Sequence, residues 1–221
     1  MKKCIIFGGA GFIGRNLVEK LLQFGHKVIV FDNFSHCNAF NLNQFRNCSN
    51  LEVINADIRN KKAVFEALQN VDVVYNLCSP QMGLCENNPS LCYEVNIMGL
   101  LNILEGMRLH CIKRIIYASS SSIYGKGYPI PIEESADFNG KEYYSLSKIV
   151  AEDILQFYNK KHEISYCIFR NAPVFGPWQC TKDGGSGIIL KIIENICSGA
   201  PLVIYGDGTQ RYDFIYVADI V

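Results

Sequence analysis

The sequence predicts an α/β fold: a doubly wound parallel sheet with helices on both faces, followed by an incomplete C-terminal lobe. Three observations carry this. Short runs rich in β-branched and apolar residues alternate with longer segments whose apolar residues recur every three or four positions. The short runs are continuously apolar, as in parallel strands buried on both faces. A glycine-rich turn, Gly8 to Gly14, joins the first run to the first helical segment.

Taken in order, Cys4–Phe7 is expected as the first strand and Phe12–Phe24 as the first helix. Lys27–Asp32 and Leu51–Asn55 are the second and third strands. Lys61–Gln69 is a helix and Val71–Asn76 the fourth strand. Pro89–His110 is a long helix, Arg114–Ala118 the fifth strand, Tyr143–Lys161 another helix and Ser165–Arg170 the sixth strand. Residues 1–170 therefore hold the content of a doubly wound nucleotide-binding sheet. From Asn171 to Gly187 proline and glycine become frequent, which marks a crossover into a second unit, 171–221. There Gly187–Cys197 is expected as a helix, Leu202–Tyr205 and Asp213–Tyr216 as short strands, and Val217–Val221 as the start of a helix, so that this lobe reads as incomplete.

Composition narrows the functional classes. Of 221 residues 49% are apolar and 19% charged, enough to bury a sizeable core. Lys and Arg balance Asp and Glu at 21 each, so neither nucleic acid nor an anionic membrane is an expected partner. No apolar run reaches membrane-spanning length, and Cys4–Phe7 is too short for a secretory leader; a cytoplasmic location is expected. The ten cysteines are scattered, without a Cys-x-x-Cys pair. Cys78, Cys85 and Cys92 recur every seven residues, but no histidines cluster with them. Reduced, packed thiols and no metal are expected.

The turn Gly8-Gly9-Ala10-Gly11-Phe12-Ile13-Gly14 has the spacing that dinucleotide binding requires. Gly8 or Gly9 makes the tight turn, Gly11 lets a pyrophosphate approach the backbone, and Gly14 lets helix and strand pack closely. The N–H groups at the start of the helix, through Phe12 and Ile13, then face the phosphates. Eighteen residues after Gly14 the second strand ends in Asp32, beside Asn33. A carboxylate there accepts hydrogen bonds from a ribose diol and repels a 2′-phosphate, which favours NAD over NADP. Asp57 and Ile58 follow the third strand at the adenine edge. Leu77 and Cys78 follow the fourth and border the cofactor from the other side.

Tyr144 and Lys148 are one helical turn apart and share a face. A phenol with a pKa near 10 is a poor base at neutral pH, and a nearby ammonium favours its ionised form. The fifth strand leads into Ser119-Ser120-Ser121-Ser122, where a hydroxyl is available to polarise a reacting sugar oxygen.

On Gly8–Gly14, Asp32, Asp57-Ile58, Asn96 within Glu94–Gly99, Tyr117–Gly125, Tyr144/Lys148, Gly206-Asp207-Gly208 and Asp213-Phe214, the chain resembles the extended short-chain dehydrogenase/reductase family. Within it, the similarity is to the NAD-dependent nucleotide-sugar epimerase/dehydratase group, in particular UDP-glucose and UDP-uronate 4-epimerases, with a C-terminal truncation. The resemblance implies a Rossmann fold with a partial substrate-binding lobe. It implies that Tyr144 is the acid/base, that Lys148 lowers its pKa and holds the nicotinamide ribose, and that Ser120 binds the sugar hydroxyl. Asn96 and Ser119 would join the cofactor site; Ser121, Ser122, Tyr144 and Arg211 would meet the substrate. Dehydratases of the group carry Asp-Glu where this chain has Ser121-Ser122, and decarboxylases carry Glu at Ser122. Pro173 and Tyr212 stand where the group has Asn and Arg. The implied reaction is 4-epimerisation of a UDP-sugar through a transient 4-keto sugar, its hydride passing to NAD and back. A net reductase and a non-catalytic NAD-binding remnant are the alternatives. A homodimer through a four-helix bundle of Pro89–His110 and Tyr143–Lys161 is also implied.

Overall fold

The computed structural model describes residues 1–37, 39–127, 131–180, 187–204 and 206–221. In chain order, β1 (Lys3–Phe7), α1 (Phe12–Gln23), β2 (Lys27–Asp32), β3 (Leu51–Asn55), α2 (Lys61–Ala67) and β4 (Val73–Asn76) build the first half. Next come α3 (Met82–Asn87), α4 (Pro89–Tyr93), α5 (Leu100–Leu109), β5 (Arg114–Ser120), α6 (Tyr143–His162) and β6 (Ser165–Asn171). The rest is β7 (Val174–Phe175), α7 (Ile188–Ser198), β8 (Ile215–Tyr216) and α8 (Val217–Ile220). The six main strands are all parallel, in the order β3-β2-β1-β4-β5-β6. The order reverses between β1 and β4, which opens a crevice at their carboxyl ends.

Burial explains why the strands lack polar alternation. Ile5 and Phe7 of β1, with Ile29 and Phe31 of β2, point into a core shared with α2, α5 and α6. Their neighbours Cys4, Ile6, Val28 and Val30 point to the opposite face, against Leu17, Val18 and Leu21 of α1. Both side-chain sets are buried, so both faces must be apolar.

Several boundaries differ from expectation. β4 begins at Val73: Asn70 is left-handed (φ 57°) and the Val71 N–H closes a turn on the Leu68 carbonyl. β5 and β6 run further, pairing Ser119 with Arg170 and Ser120 with Asn171, so the first two serines are strand residues. The expected helix Pro89–His110 is divided by a π-helical segment, Glu94–Gly99, between α4 and α5. Residues 202–204 form no strand, and Tyr205 lies outside the described residues. Only Ile215 and Tyr216 of the expected strand Asp213–Tyr216 are extended, paired in parallel with β7.

The C-terminal elements lean on α1. Asn16 Nδ2 donates to the Pro177 carbonyl (3.1 Å), and the Trp178 ring lies 4.1 Å from the buried Arg15 guanidinium. Val217 is buried, whereas α7 presents Ile188, Ile192, Ile193 and Ile196 to solvent.

Two cysteines depart from the all-thiol expectation: Cys85 and Cys92 are disulfide-bonded. Seven residues along one helix would separate them by about 10 Å at 1.5 Å per residue. The chain instead breaks at Asn88, where α3 gives way to α4, and their Cα atoms lie 4.9 Å apart. That break carries no signal in the cysteine spacing.

Candidate active site

Gly8 adopts φ 79°, and a Cβ there would lie 2.9 Å from the Cys78 nitrogen. A Cβ on Gly14 would lie 2.2 Å from the Gly8 carbonyl oxygen. Gly11 caps α1, and a Cβ there would meet only the Gly8 carbonyl oxygen, at 3.4 Å. The N-terminus of α1, with Phe12 and Ile13, thus opens onto the crevice. Asp32, at the end of β2, accepts the Ala10 N–H (3.0 Å) and the Phe34 N–H (2.8 Å). These bonds anchor a nearly buried carboxylate beside the glycine turn.

At the adenine edge the structure gives Asp57 a partner that the sequence did not suggest. Asn33 Nδ2 and the Arg59 guanidinium each donate to its carboxylate at 2.9 Å. The arginine holds the Asp57 carboxyl down at about 2. The Ile58 side chain is buried in the core beneath Gly99, so only its backbone is available to a ligand. On the opposite side, Leu77 and Cys78 pass close to Gly8, and burial pushes the Cys78 thiol up.

The reactive groups come from three elements. Tyr144 and Lys148 lie in the first turns of α6, Ser120 ends β5, and Ser79 follows β4. The Ser79 and Ser120 hydroxyls neighbour the Tyr144 phenol and favour its ionised form. Lys148 is 2% exposed; its Nζ donates to the Ala118 carbonyl (2.8 Å) and stands 5.6 Å from the centre of the Tyr144 ring. Here the expected electrostatics need correction. Burial raises the Tyr144 pKa, and what opposes it is hydrogen bonding from Ser79 and Ser120. Lys148 is itself so desolvated that its pKa falls to about 7, so near neutrality its positive charge is only partly present. A lysine whose charge burial disfavours is a weaker lever on a phenol than an exposed ammonium.

The remaining expected residues divide. Asn96 Nδ2 donates to Ser147 Oγ (2.8 Å) on α6, and its own Oδ1 is buried without a partner. Ser119 points away from the crevice and donates to Glu152 Oε1 (2.5 Å). Ser121 and Ser122 begin a 3-10 turn, Ser121–Tyr124, where Ser122 Oγ is buried without a partner among the described residues. Arg211 is exposed in the irregular stretch before β8, and among the described residues no hydrogen bond ties it to Tyr144.

Three residues escaped sequence reasoning. Ser79 reaches the phenol from a run assigned only to the cofactor border. Glu86 Oε1 accepts the Tyr143 N–H (2.9 Å) at the start of α6, which needs the α3 fold-back to be seen. Glu152 lies one turn beyond Lys148, a spacing that was legible, but its burial was not.

A family model described as the NAD dependent epimerase/dehydratase family matches residues 4–221. The chain belongs to this family. A Methanocaldococcus jannaschii protein, provisionally named a UDP-glucose 4-epimerase, is 35% identical over 98% of this chain and 70% of its own length. A UDP-N-acetyl-alpha-D-glucosaminuronate decarboxylase of Bacillus cytotoxicus is 34% identical over 100% of this chain and 69% of its own. Among solved structures, the UDP-N-acetylglucosamine 4-epimerase of Methanobrevibacter ruminantium, in complex with UDP-N-acetylmuramic acid, superposes with a TM-score of 0.94 at 32% identity. It covers 99% of this chain, which spans 70% of that one. The Thermus thermophilus UDP-glucose 4-epimerase, solved with NAD, gives a TM-score of 0.89 at 28% identity over 99% of this chain and 71% of its own. The relatives of this chain thus include proteins named as epimerases and as decarboxylases. Among the described residues no helix is long and apolar enough to cross a membrane.

The residues present fit the family's dinucleotide. The Gly8–Gly14 cradle has no room for side chains at Gly8 or Gly14, and the Asn96 Oδ1 acceptor is buried and orphaned. Gly14→Ala is expected to destabilise the protein by about 2–3 kcal/mol, because its methyl collides with backbone that cannot yield cheaply. A thermal melt of the purified variant checks this; an unchanged midpoint would show that the turn can relax.

Proposed function

We propose that this chain catalyses NAD-dependent 4-epimerisation of a UDP-sugar through a transient 4-keto sugar. The observation that carries this choice is the turn after Ser120. It presents the hydroxyls of Ser121 and Ser122, not the carboxylates that elimination of water or loss of a carboxyl group would use. Family members that epimerise need only an acid/base and a reversible oxidant.

NAD, when bound, supplies the oxidant that takes electrons from C4 and returns them. The Gly8–Gly14 turn and the start of α1 would hold its pyrophosphate, and Asp32 its adenosine ribose. Tyr144 would take the proton of the C4 hydroxyl and give it back. Ser79 and Ser120 orient its phenol and favour its ionised form. Lys148 fixes the depth of α6 against β5 through the Ala118 carbonyl. Residues 171–221 would form part of the substrate lobe.

Net redox is zero, so turnover should proceed without added NADH. Incubation with UDP-sugars differing at C4 should yield the other epimer while the bound cofactor stays catalytic. Stoichiometric consumption of NADH would instead identify a reductase.

We also place a homodimer in this reading. Met98 and Leu109 on one helix rod, and Leu146 and Phe157 on α6, are exposed apolar residues. Each pair is eleven positions apart, three helical turns along a single face. Phe157→Glu is expected to shift the protein from dimer to monomer in sedimentation; a native protein that is monomeric at every concentration would contradict the arrangement.

A further inference from the structure

α6 is fastened to the end of β5 one residue at a time. The Tyr117 ring lies 4.9 Å from Lys148 Nζ, the Ala118 carbonyl accepts from Lys148, Ser119 donates to Glu152, and Ser120 meets Tyr144. The helical partners are 144, 148 and 152, a single stripe at four-residue spacing. Of these contacts the third is the one without a place in the reaction as drawn above.

Its chemistry is unusual for a mere strut. Glu152 is 0% exposed, and its carboxylate is held by Ser119 Oγ (2.5 Å), Arg170 Nε (3.2 Å) and Arg170 Nη2 (2.9 Å). Ser119 and Arg170 occupy facing positions in the β5–β6 register, so one carboxylate on α6 grips both strands at once. The other arm of Arg170 donates to Tyr124 Oη and to the Glu134 carbonyl, each at 2.7 Å, and so reaches the turn that follows Ser120. Burying an ion pair gains little stability over an apolar contact of the same volume. It does fix geometry, since every donor has a defined direction.

We propose that Glu152 is a positioning residue that, braced by Arg170, holds Ser119 in place and thereby keeps the end of β5, with the adjacent Ser120 hydroxyl, beside Tyr144. The inference rests on the reading of Tyr144 as the acid/base. Losing the Glu152–Ser119 link leaves Tyr144, Lys148 and the cofactor cradle intact but lets the strand end drift. A misplacement of about 1 Å at a reacting group lowers rates by up to about 100-fold.

The test compares Ser119→Ala, which cuts only the link, with Glu152→Gln, which removes the charge, and Ser119→Thr, which restores a hydroxyl. Two readouts are taken on each. The first is kcat and KM for UDP-sugar epimerisation. The second, which needs no substrate, is the pH titration of tyrosinate absorbance, with and without a further Tyr144→Phe substitution to isolate that phenol. Tyr117 on β5 interacts with the phenol, and Cys78 after β4 and Glu152 on α6 with its neighbour Lys148; all but Glu152 are common to the variants. In Ser119→Ala the phenol should ionise at higher pH, because the Ser120 hydroxyl that favours the phenolate is displaced. The kcat should fall about 10–100-fold with KM little changed, and Ser119→Thr should recover both. If Glu152→Gln does not fold, Ser119→Ala still decides. A Tyr144 titration in Ser119→Ala identical to that of the native protein, whatever the melting temperature does, overturns the proposal. Should the native protein convert no sugar, the epimerase reading fails, while the titration continues to test the positioning role.

Discussion

Tyr144→Phe is expected to lower the epimerisation rate by about 1,000-fold or more while leaving NAD binding intact. The phenol carries a dissociable proton, and the neighbouring Ser79 and Ser120 hydroxyls favour its ionised form. Phe removes the oxygen and keeps the ring, so the packing of α6 survives. The cradle for the dinucleotide lies elsewhere, at Gly8–Gly14 and Asp32, and is untouched. Activity is measured by following the C4 configuration of the sugar nucleotide, and cofactor content by release on denaturation. A variant with native activity would remove Tyr144 from the chemistry.

The second large effect concerns Lys148 and stability. Its folded pKa of about 7 lies below the ordinary 10.5 because burial disfavours the ammonium, partly offset by Cys78 and Glu152. Below pH 7 the lysine is charged in both folded and unfolded chains, and the folded state bears the cost of burying the charge. Between pH 7 and 10.5 the unfolded chain binds more protons, so stability from this group rises with pH. Above that range both are neutral and the cost is gone. Removing the amine in Lys148→Met should therefore stabilise the cofactor-free protein most below pH 7, by an amount of the order of a few kcal/mol. The loss of the Ala118 hydrogen bond takes back about 1 kcal/mol. Melting temperatures of the two proteins should converge as pH rises towards 10. A lysine variant that is less stable at pH 6 than at pH 9, relative to the native protein, would contradict this. Activity should fall in the same variant, which places the lysine in function at the expense of stability.

The sheet was legible because parallel strands buried on both faces leave uninterrupted apolar runs, as in residues 4–7 and 28–31. The cofactor turn was legible because glycine is demanded by contact: nothing larger fits at Gly14. What sequence could not supply was orientation. Ser119 and Ser120 are neighbours of identical chemistry, yet strand alternation turns one to Glu152 and the other to Tyr144. Nor does a Tyr-x-x-x-Lys spacing reveal that the lysine is buried deeply enough for its charge to be disfavoured. The π-helical segment that aims Asn96 at Ser147 and the fold-back that joins Cys85 to Cys92 likewise depend on packing between helices rather than on local pattern.

The central claim is that one hydrogen leaves C4 and returns to the same carbon from the other side. A UDP-sugar carrying deuterium at C4 tests it directly, with the product read by NMR and mass spectrometry. Retention of deuterium at C4 of the epimerised sugar, with none in solvent and no net change in NAD, is the predicted result. Loss of the label to solvent or to added cofactor, or a product lacking water or carbon dioxide, would contradict it.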